Sequence, residues 1–252
     1  MSEHVRIDKN GGVLAITLAR PERRNAITVA MYAALAEAFE EAAKDPSVRV
    51  ITVRGEGQDF AAGNDLADFL NVPPGDRSDI PVWRLLRALA ICEIPVVAAV
   101  HGNCVGIGTT MLLHCDLVIA DESARFSLPF VDLALVPEAA STLLLPQLAG
   151  RRASARYLLL GESFGAEEAL AIGLASHVVP AGTLDEELAR IVVALLAKPA
   201  EALRDTQQLL RHGQSAAILE RMVQESERFA ERLESAEVKQ AIEAFFASRS
   251  KA

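Results

Sequence analysis

Cysteine is scarce and poorly placed for pairing: Cys92, Cys104 and Cys115 are the only three in 252 residues, with no CxxC spacing and no His-rich companion. Neither a disulfide framework nor a metal site is suggested, and a reducing, cytoplasmic location is expected. Long apolar runs are missing as well. None reaches the ~20 residues of a membrane span, and the opening MSEHVRIDKNGG has no hydrophobic signal core. The closing Ser250-Lys251-Ala252 lacks the leucine that completes a peroxisomal address. Basic excess is absent too: 25 Lys and Arg against 34 Asp and Glu leave a net charge of −9. Nucleic acid and anionic membrane are thereby excluded as expected partners, because both require a basic surface. An anionic ligand would have to be met locally.

What is present is an ordinary globular composition, long enough for one large domain or two small ones. Val5, Ile7 and the run 13–18 flank Asn10-Gly11-Gly12 and predict a hairpin. Residues 20–25, RPERRN, are polar and turn-like. Thr28 is a candidate N-cap for a helix that ends before Pro46. Residues 48–53 predict a buried strand. FAAGNDL follows at 60–66, then a polar, Pro-rich stretch at 71–79 that is the best candidate for a mobile loop. A helix is expected over 83–92, a strand over 95–100 and a helix over 109–115. Short strands are expected at 117–120 and 125–128, helices at 137–148, 154–160 and 166–172, and a last strand at 178–179. From 183 onward only amphipathic helices are expected, at 184–196, 201–211 and 216–248. No linker separates this helical end as an independent domain.

The stretch 94–116, IPVVAAVHGNCVGIGTTMLLHCD, holds the most chemistry. A short apolar run enters a turn punctuated by Gly102, Gly106 and Gly108, and a helix-like run leaves it. Glycines allow backbone amides to approach a ligand, and the first amides of a helix have no internal partner, so such a turn accepts negative charge. Phosphate motifs do not fit: the order is G-x-x-x-G-x-G rather than G-x-G-x-x-G, and no lysine follows Gly108. Two readings of the turn alone stay open, an anion site and a tight strand-to-helix connection.

FAAGNDL at 60–66 and VHGNCVGIGTTMLLHCDLVIA at 100–120 together resemble the enoyl-CoA hydratase/isomerase, or crotonase, family. The likeness extends over RPERRNAI at 20–27, ARFSLPFVDLALVPEAAST at 124–142, GESFGAEEALAIGLASHVV at 161–179 and AFFASR near the C-terminus. The resemblance implies an α/β fold, a spiral of strand–strand–helix turns over 1–180 that carries an acyl-CoA site. Residues 181–252 would then form a helical trimerisation region, in a homotrimer or a dimer of trimers. No separate cofactor is implied, since coenzyme A belongs to the substrate. The family's two thioester-binding amides fall at Asn64 and Ile107, with Gly63, Gly106 and Gly108 setting their geometry. Ala62, Asp65, Leu66 and Phe130 are expected along the substrate. Arg24 is expected at the CoA phosphates, unless it and Arg23 are only solvated surface charge, and Phe246 at the adenine.

The two glutamates of a family hydratase would fall at Thr110 and Phe130, and neither position is acidic. An acid stands instead at Glu138, in LVPEAAST, which is similar to the monofunctional Δ3,Δ2-enoyl-CoA isomerases of the peroxisomal type. Ala139 departs from the glycine those isomerases often carry. The resemblance thus implies an isomerase with Glu138 as its single acid–base and weak or absent hydration. Without it, Pro137-Glu138 is equally a common helix start, favoured by the helix dipole. Alternatives are another enolate reaction of the superfamily, such as hydration or ring-epoxide isomerisation, and a non-catalytic acyl-CoA-binding protein.

Overall fold

The computed structural model describes residues 2–69, 80–211 and 213–249; the expectations placed on 71–79, on the side chains of Phe245, Phe246 and Arg249, and on Lys251 lie outside the described residues. The chain opens with an antiparallel hairpin of β1 (Val5–Asn10) and β2 (Val13–Leu18), in register from Val5 opposite Leu18 to Asn10 opposite Val13. α1 (Val29–Ala42) begins where Thr28 accepts the Met31 N–H at 3.2 Å. Then come β3 (Val50–Gly55), α2 (Leu66–Phe69), α3 (Pro81–Ala90), β4 (Val96–Val100), β5 (Asn103–Val105) and α4 (Ile107–Thr110). β6 (Leu117–Asp121), β7 (Arg125–Ser127), α5 (Ser141–Leu159), β8 (Phe164–Gly165), α6 (Ala166–Ala171) and β9 (His177–Val179) complete the strand-bearing part. Four helices follow: α7 (Leu184–Leu196), α8 (Ala200–Arg211), α9 (Ser215–Leu233) and α10 (Ala236–Arg249).

Six strands form one sheet in the order β1-β2-β3-β4-β6-β9, parallel beyond the first hairpin. The central strand β4, VVAAV, is apolar without interruption because both its faces are covered. Val96, Ala98 and Val100 of β4 join a large core with α1 and α3, while the alternate residues Val97 and Ala99 join a smaller one with Leu184 and Ile191 of α7. A second, three-stranded sheet has the order β5-β7-β8.

The two sheets give the fold its repeat. Each turn of chain sends one strand to the large sheet, the next to the small one, and then a helix: β4, β5, α4, then β6, β7, α5. The FAAG segment takes the corresponding place after β3, through a parallel bridge from Ala61 to Cys104. Cys104 pairs in turn with Phe126, and Phe126 with Phe164. This is the α/β spiral expected from the sequence. Ile218, Met222 and Phe229 of α9 and Val238 and Ile242 of α10 belong to the same large core, so the helical end packs on the spiral.

Several local expectations are corrected. The helix expected at 109–115 is α4 followed by a 3-10 turn, Met111–His114. The helix expected from 137 starts at Ser141, because Ala139 and Ala140 both hold positive φ, 62° and 53°, which no right-handed helix contains. Glu138 is therefore not a residue of a helix's first turn. The helices expected at 137–148 and 154–160 are one element broken at Gly150, and the one expected at 216–248 is split between α9 and α10. β5 and β8 were not expected, since strands of three and two residues are too short to show alternation.

Candidate active site

Because the FAAG segment and β5 are adjacent turns of the spiral, the two glycine motifs meet side by side. A Cβ built on Gly106 would lie 4.0 Å from the Gly63 Cα. Gly63 has φ +89° and Gly106 φ +56° with ψ −118°, conformations in which a side chain is strained. At Gly108 the reason is space: a Cβ would meet the Ala61 Cβ at 3.0 Å.

These turns fix the direction of two amides. The parallel bridge between Ile27 and Asn64 uses the Ile27 N–H to Gly63 O, 2.8 Å, and the Asp65 N–H to Ile27 O, 2.9 Å. Asn64's own N–H consequently points to the opposite side. Ile107 is the first residue of α4, whose Gly106 carbonyl takes the Thr109 and Thr110 amides, so the Ile107 N–H has no intrahelical acceptor. Asn64 and Ile107 line one cleft of about 410 Å³. Gly63, Gly106, Ala62, Asp65 and Leu66 line it too, beside Arg23 and Arg24, while Phe130, Leu133, Leu135 and Phe229 supply apolar wall. Gly108 is not among the lining residues; it packs on Ala61 behind them.

The RPERRN turn borders the cleft through its backbone. Arg24 takes φ +52°, and its carbonyl accepts the Ala62 N–H at 2.9 Å. Its side chain is two-thirds exposed, with Nε 3.8 Å from an Asp59 oxygen. Asp65 is bound at 2.7 Å by Arg20. Fully buried Asn25 ties the turn together by donating to the Glu56 and Asp59 carbonyls and accepting the Arg20 N–H. A wider cleft of about 530 Å³ lies elsewhere, and its cations are paired, Arg6 with Glu56 at 2.8 Å and Arg54 with Asp185 at 2.7 Å. Of the motif residues only His101 lines it, and neither Asn64 nor Ile107 does.

Glu138 is buried, 8% exposed, and among the described residues its Oε1 has no hydrogen-bond partner. Burial pushes this carboxyl up to about 8, and the charge of Glu225 adds to the shift. Glu138 is not part of the open cleft wall. Tyr32 of α1 links the two: its hydroxyl donates to Asn64 Oδ1, and burial followed by the Glu138 charge raises its pKa well above the ordinary phenol value. Thr110 Oγ1 and Ser141 Oγ are also buried without partners among the described residues.

The segment after Glu138 is held from two sides. His114, pushed down to about 4 by burial, is neutral, and its Nε2 donates to the Ala139 carbonyl at 2.8 Å. Glu225 of α9 accepts the Ala140 N–H at 2.7 Å, the Thr142 N–H at 3.0 Å and the Thr142 hydroxyl. Burial raises the Glu225 pKa and these three donors oppose the rise. Sequence reasoning missed Tyr32, His114, Glu225 and Phe229. Only Glu225 left a signal, an acid on the buried face that Ile218, Met222 and Phe229 define at helical spacing.

A two-sheet spiral whose stacked turns bring two backbone amides to an apolar-walled cleft, with the buried carboxyls of Glu138 and Glu225 nearby, is the arrangement of a class of enzymes that stabilise negative charge developing on oxygen. The particular family follows from comparison: residues 8–251 match the enoyl-CoA hydratase/isomerase family, and the chain belongs to it. It is 34% identical to 1,2-epoxyphenylacetyl-CoA isomerase of Escherichia coli K12 over 99% of this chain and 98% of that one. Identity to the peroxisomal enoyl-CoA delta isomerase 3 of Mus musculus is 31%, over 100% of this chain and 80% of that one. An enoyl-CoA hydratase/isomerase structure from Pseudoalteromonas atlantica T6c superposes with a TM-score of 0.92 at 38% identity, covering 98% of each chain.

Proposed function

We propose that this enzyme shifts the double bond of an enoyl-CoA from Δ3 to Δ2, using Glu138 as its only acid–base. The thioester oxygen accepts hydrogen bonds from the Asn64 and Ile107 amides. The C2 protons of a 3-enoyl thioester are both alpha to the carbonyl and allylic. Ionised Glu138 removes one, the electron pair delocalises into a dienolate whose oxygen the two amides stabilise, and the same carboxyl returns the proton to C4. No water enters the balance. Coenzyme A is part of the substrate, its phosphates met by Arg24, and no further cofactor is required.

The observation that carries this reading is the buried Glu138 carboxyl with an unpartnered oxygen, pushed up to about 8, where one group serves well as both base and acid near neutral pH. It is strengthened by Thr110 and Phe130 at the positions where the resemblance puts a hydratase's two acids. The similarity to 1,2-epoxyphenylacetyl-CoA isomerase supports a second reading, ring-epoxide isomerisation through the same enolate site. Parallel assays with a 3-enoyl-CoA, a 2-enoyl-CoA and an aryl-epoxide CoA thioester separate them. Fast Δ3 to Δ2 conversion that falls about 10²–10⁴-fold in Glu138→Gln is expected. Rapid hydration of the 2-enoyl-CoA, retained in that variant, would overturn the mechanism.

A further inference from the structure

Ala139 and Ala140 both occupy the left-handed region without being glycine, and α5 has no side-chain cap of its own at Ala140. Something outside the segment must hold it. Glu225 does so from α9: its carboxylate takes the Ala140 amide, the Thr142 amide and the Thr142 hydroxyl, supplying from a distant helix the anionic cap that α5 lacks. We infer that Glu225 is a positioning residue, which clamps the turn from Ala139 to Thr142 and so fixes where the Glu138 side chain points. Glu138 lies at the edge of the clamp, and the Ser141 amide bonds back to its carbonyl at 3.0 Å. This inference rests on the reading of Glu138 as the acid–base.

The charges around Glu138 fit that arrangement. Tyr32 approaches from α1 and His114 from the 3-10 turn, both uncharged at neutral pH. Arg211 of α8 binds the His114 carbonyl, and Arg221 of α9 donates to the Thr142 hydroxyl. Glu225, with three donors, keeps the negative charge, while Glu138, with an unpartnered oxygen, keeps the proton.

Two variants and two readouts test the assignment. In Glu225→Gln the charge is gone, and the amide keeps one accepting oxygen while its NH2 faces donors on the other side that it cannot accept from. The ionisation of Glu138, followed as the carboxyl carbon-13 resonance that disappears in Glu138→Gln, is expected to fall below its wild-type midpoint of about 8. Turnover of 3-enoyl-CoA should drop roughly 10- to 100-fold in kcat with little change in KM. Glu225→Asp keeps the charge but shortens the reach, so the resonance should stay near its wild-type midpoint while kcat still falls. An unmoved midpoint in Glu225→Gln, or wild-type kcat in Glu225→Asp, would overturn the assignment. Should Glu225→Gln not fold, the kcat of Glu225→Asp decides alone. The carbon-13 titration needs no turnover, so a wild-type protein inactive on 3-enoyl-CoA would count against the isomerase reading while the effect of Glu225 on Glu138 is still measured.

Discussion

A buried carboxyl is a weak point in the fold. Glu138 has a folded pKa of about 8 against an ordinary 4.5, so the folded state binds its proton more tightly than the unfolded state does. Its contribution to stability is complete below about 4.5 and is lost as the pH rises through 8. Glu138→Gln is therefore expected to be inactive yet more stable than the parent at pH 8, by on the order of a few kcal/mol. Urea denaturation of both proteins at pH 8 and pH 5 checks this, with the gap narrowing at the lower pH. The same ionisation sets the pH profile. Because the base must be charged in the free enzyme, kcat/KM should climb as the pH rises toward about 8 and then level off. A profile flat between pH 6 and 9 would remove Glu138 from the role of base.

At the scale of elements, the glycine turns are the test of the paired amides. Gly106→Ala forces a side chain into φ +56°, ψ −118°, at a cost of about 1–3 kcal/mol. Any relaxation rotates the Ile107 N–H, so kcat/KM for 3-enoyl-CoA should fall by roughly 10²-fold or more while the circular dichroism stays that of the parent. These turns were legible in the sequence because backbone that must pass close to a ligand, or take positive φ, calls for glycine. The strands of the large sheet were legible as short apolar runs, and Thr28 as a cap. The surroundings of Glu138 were not. Two alanines in the left-handed region carry no sequence mark, and the carboxylate that holds them lies on a helix whose partner only the fold reveals. The short strands β5 and β8 were hidden for a related reason, since their pairing depends on turns distant in the chain.

Across the whole molecule, the C-terminal helices are tied to the spiral by a few polar anchors as well as by apolar packing. Arg211 of α8 reaches the Leu89 and His114 carbonyls and Asp116, whose other oxygen accepts the Val96 N–H at the start of β4. Arg211→Ala removes a donor from each of these acceptors, although Gln207 still donates to Asp116 Oδ1, and is expected to cost about 2–3 kcal/mol in urea unfolding, with Arg211→Lys recovering little, since one ammonium cannot reproduce the fork. Large apolar side chains remain exposed on the outer helices, Leu159 and Leu160 on α5 and its end, Val193 on α7, and Leu209 and Leu210 on α8. They fit the homotrimer or dimer of trimers that the resemblance implies, and we propose that assembly. Light scattering after gel filtration should then give three or six times the 27.0 kDa of one chain, and a monomer at micromolar concentration would end that proposal.

The ladder from Ala61 to Cys104 to Phe126 acts as a ruler. It sets the separation of the Asn64 and Ile107 amides by strand register, so deleting or inserting one residue between Cys104 and Gly106 would displace one amide by about 3.3 Å. That is too far for both to bind a single oxygen. Glu138, by contrast, sits on a turn outside this ladder, held by Glu225 of α9 and by His114 just beyond α4. On the proposed reading the proton carrier and the pair of amides thus belong to different turns of the spiral, and a substitution at Glu138 that leaves the ladder in register would change the reaction before it changed the hold on the thioester.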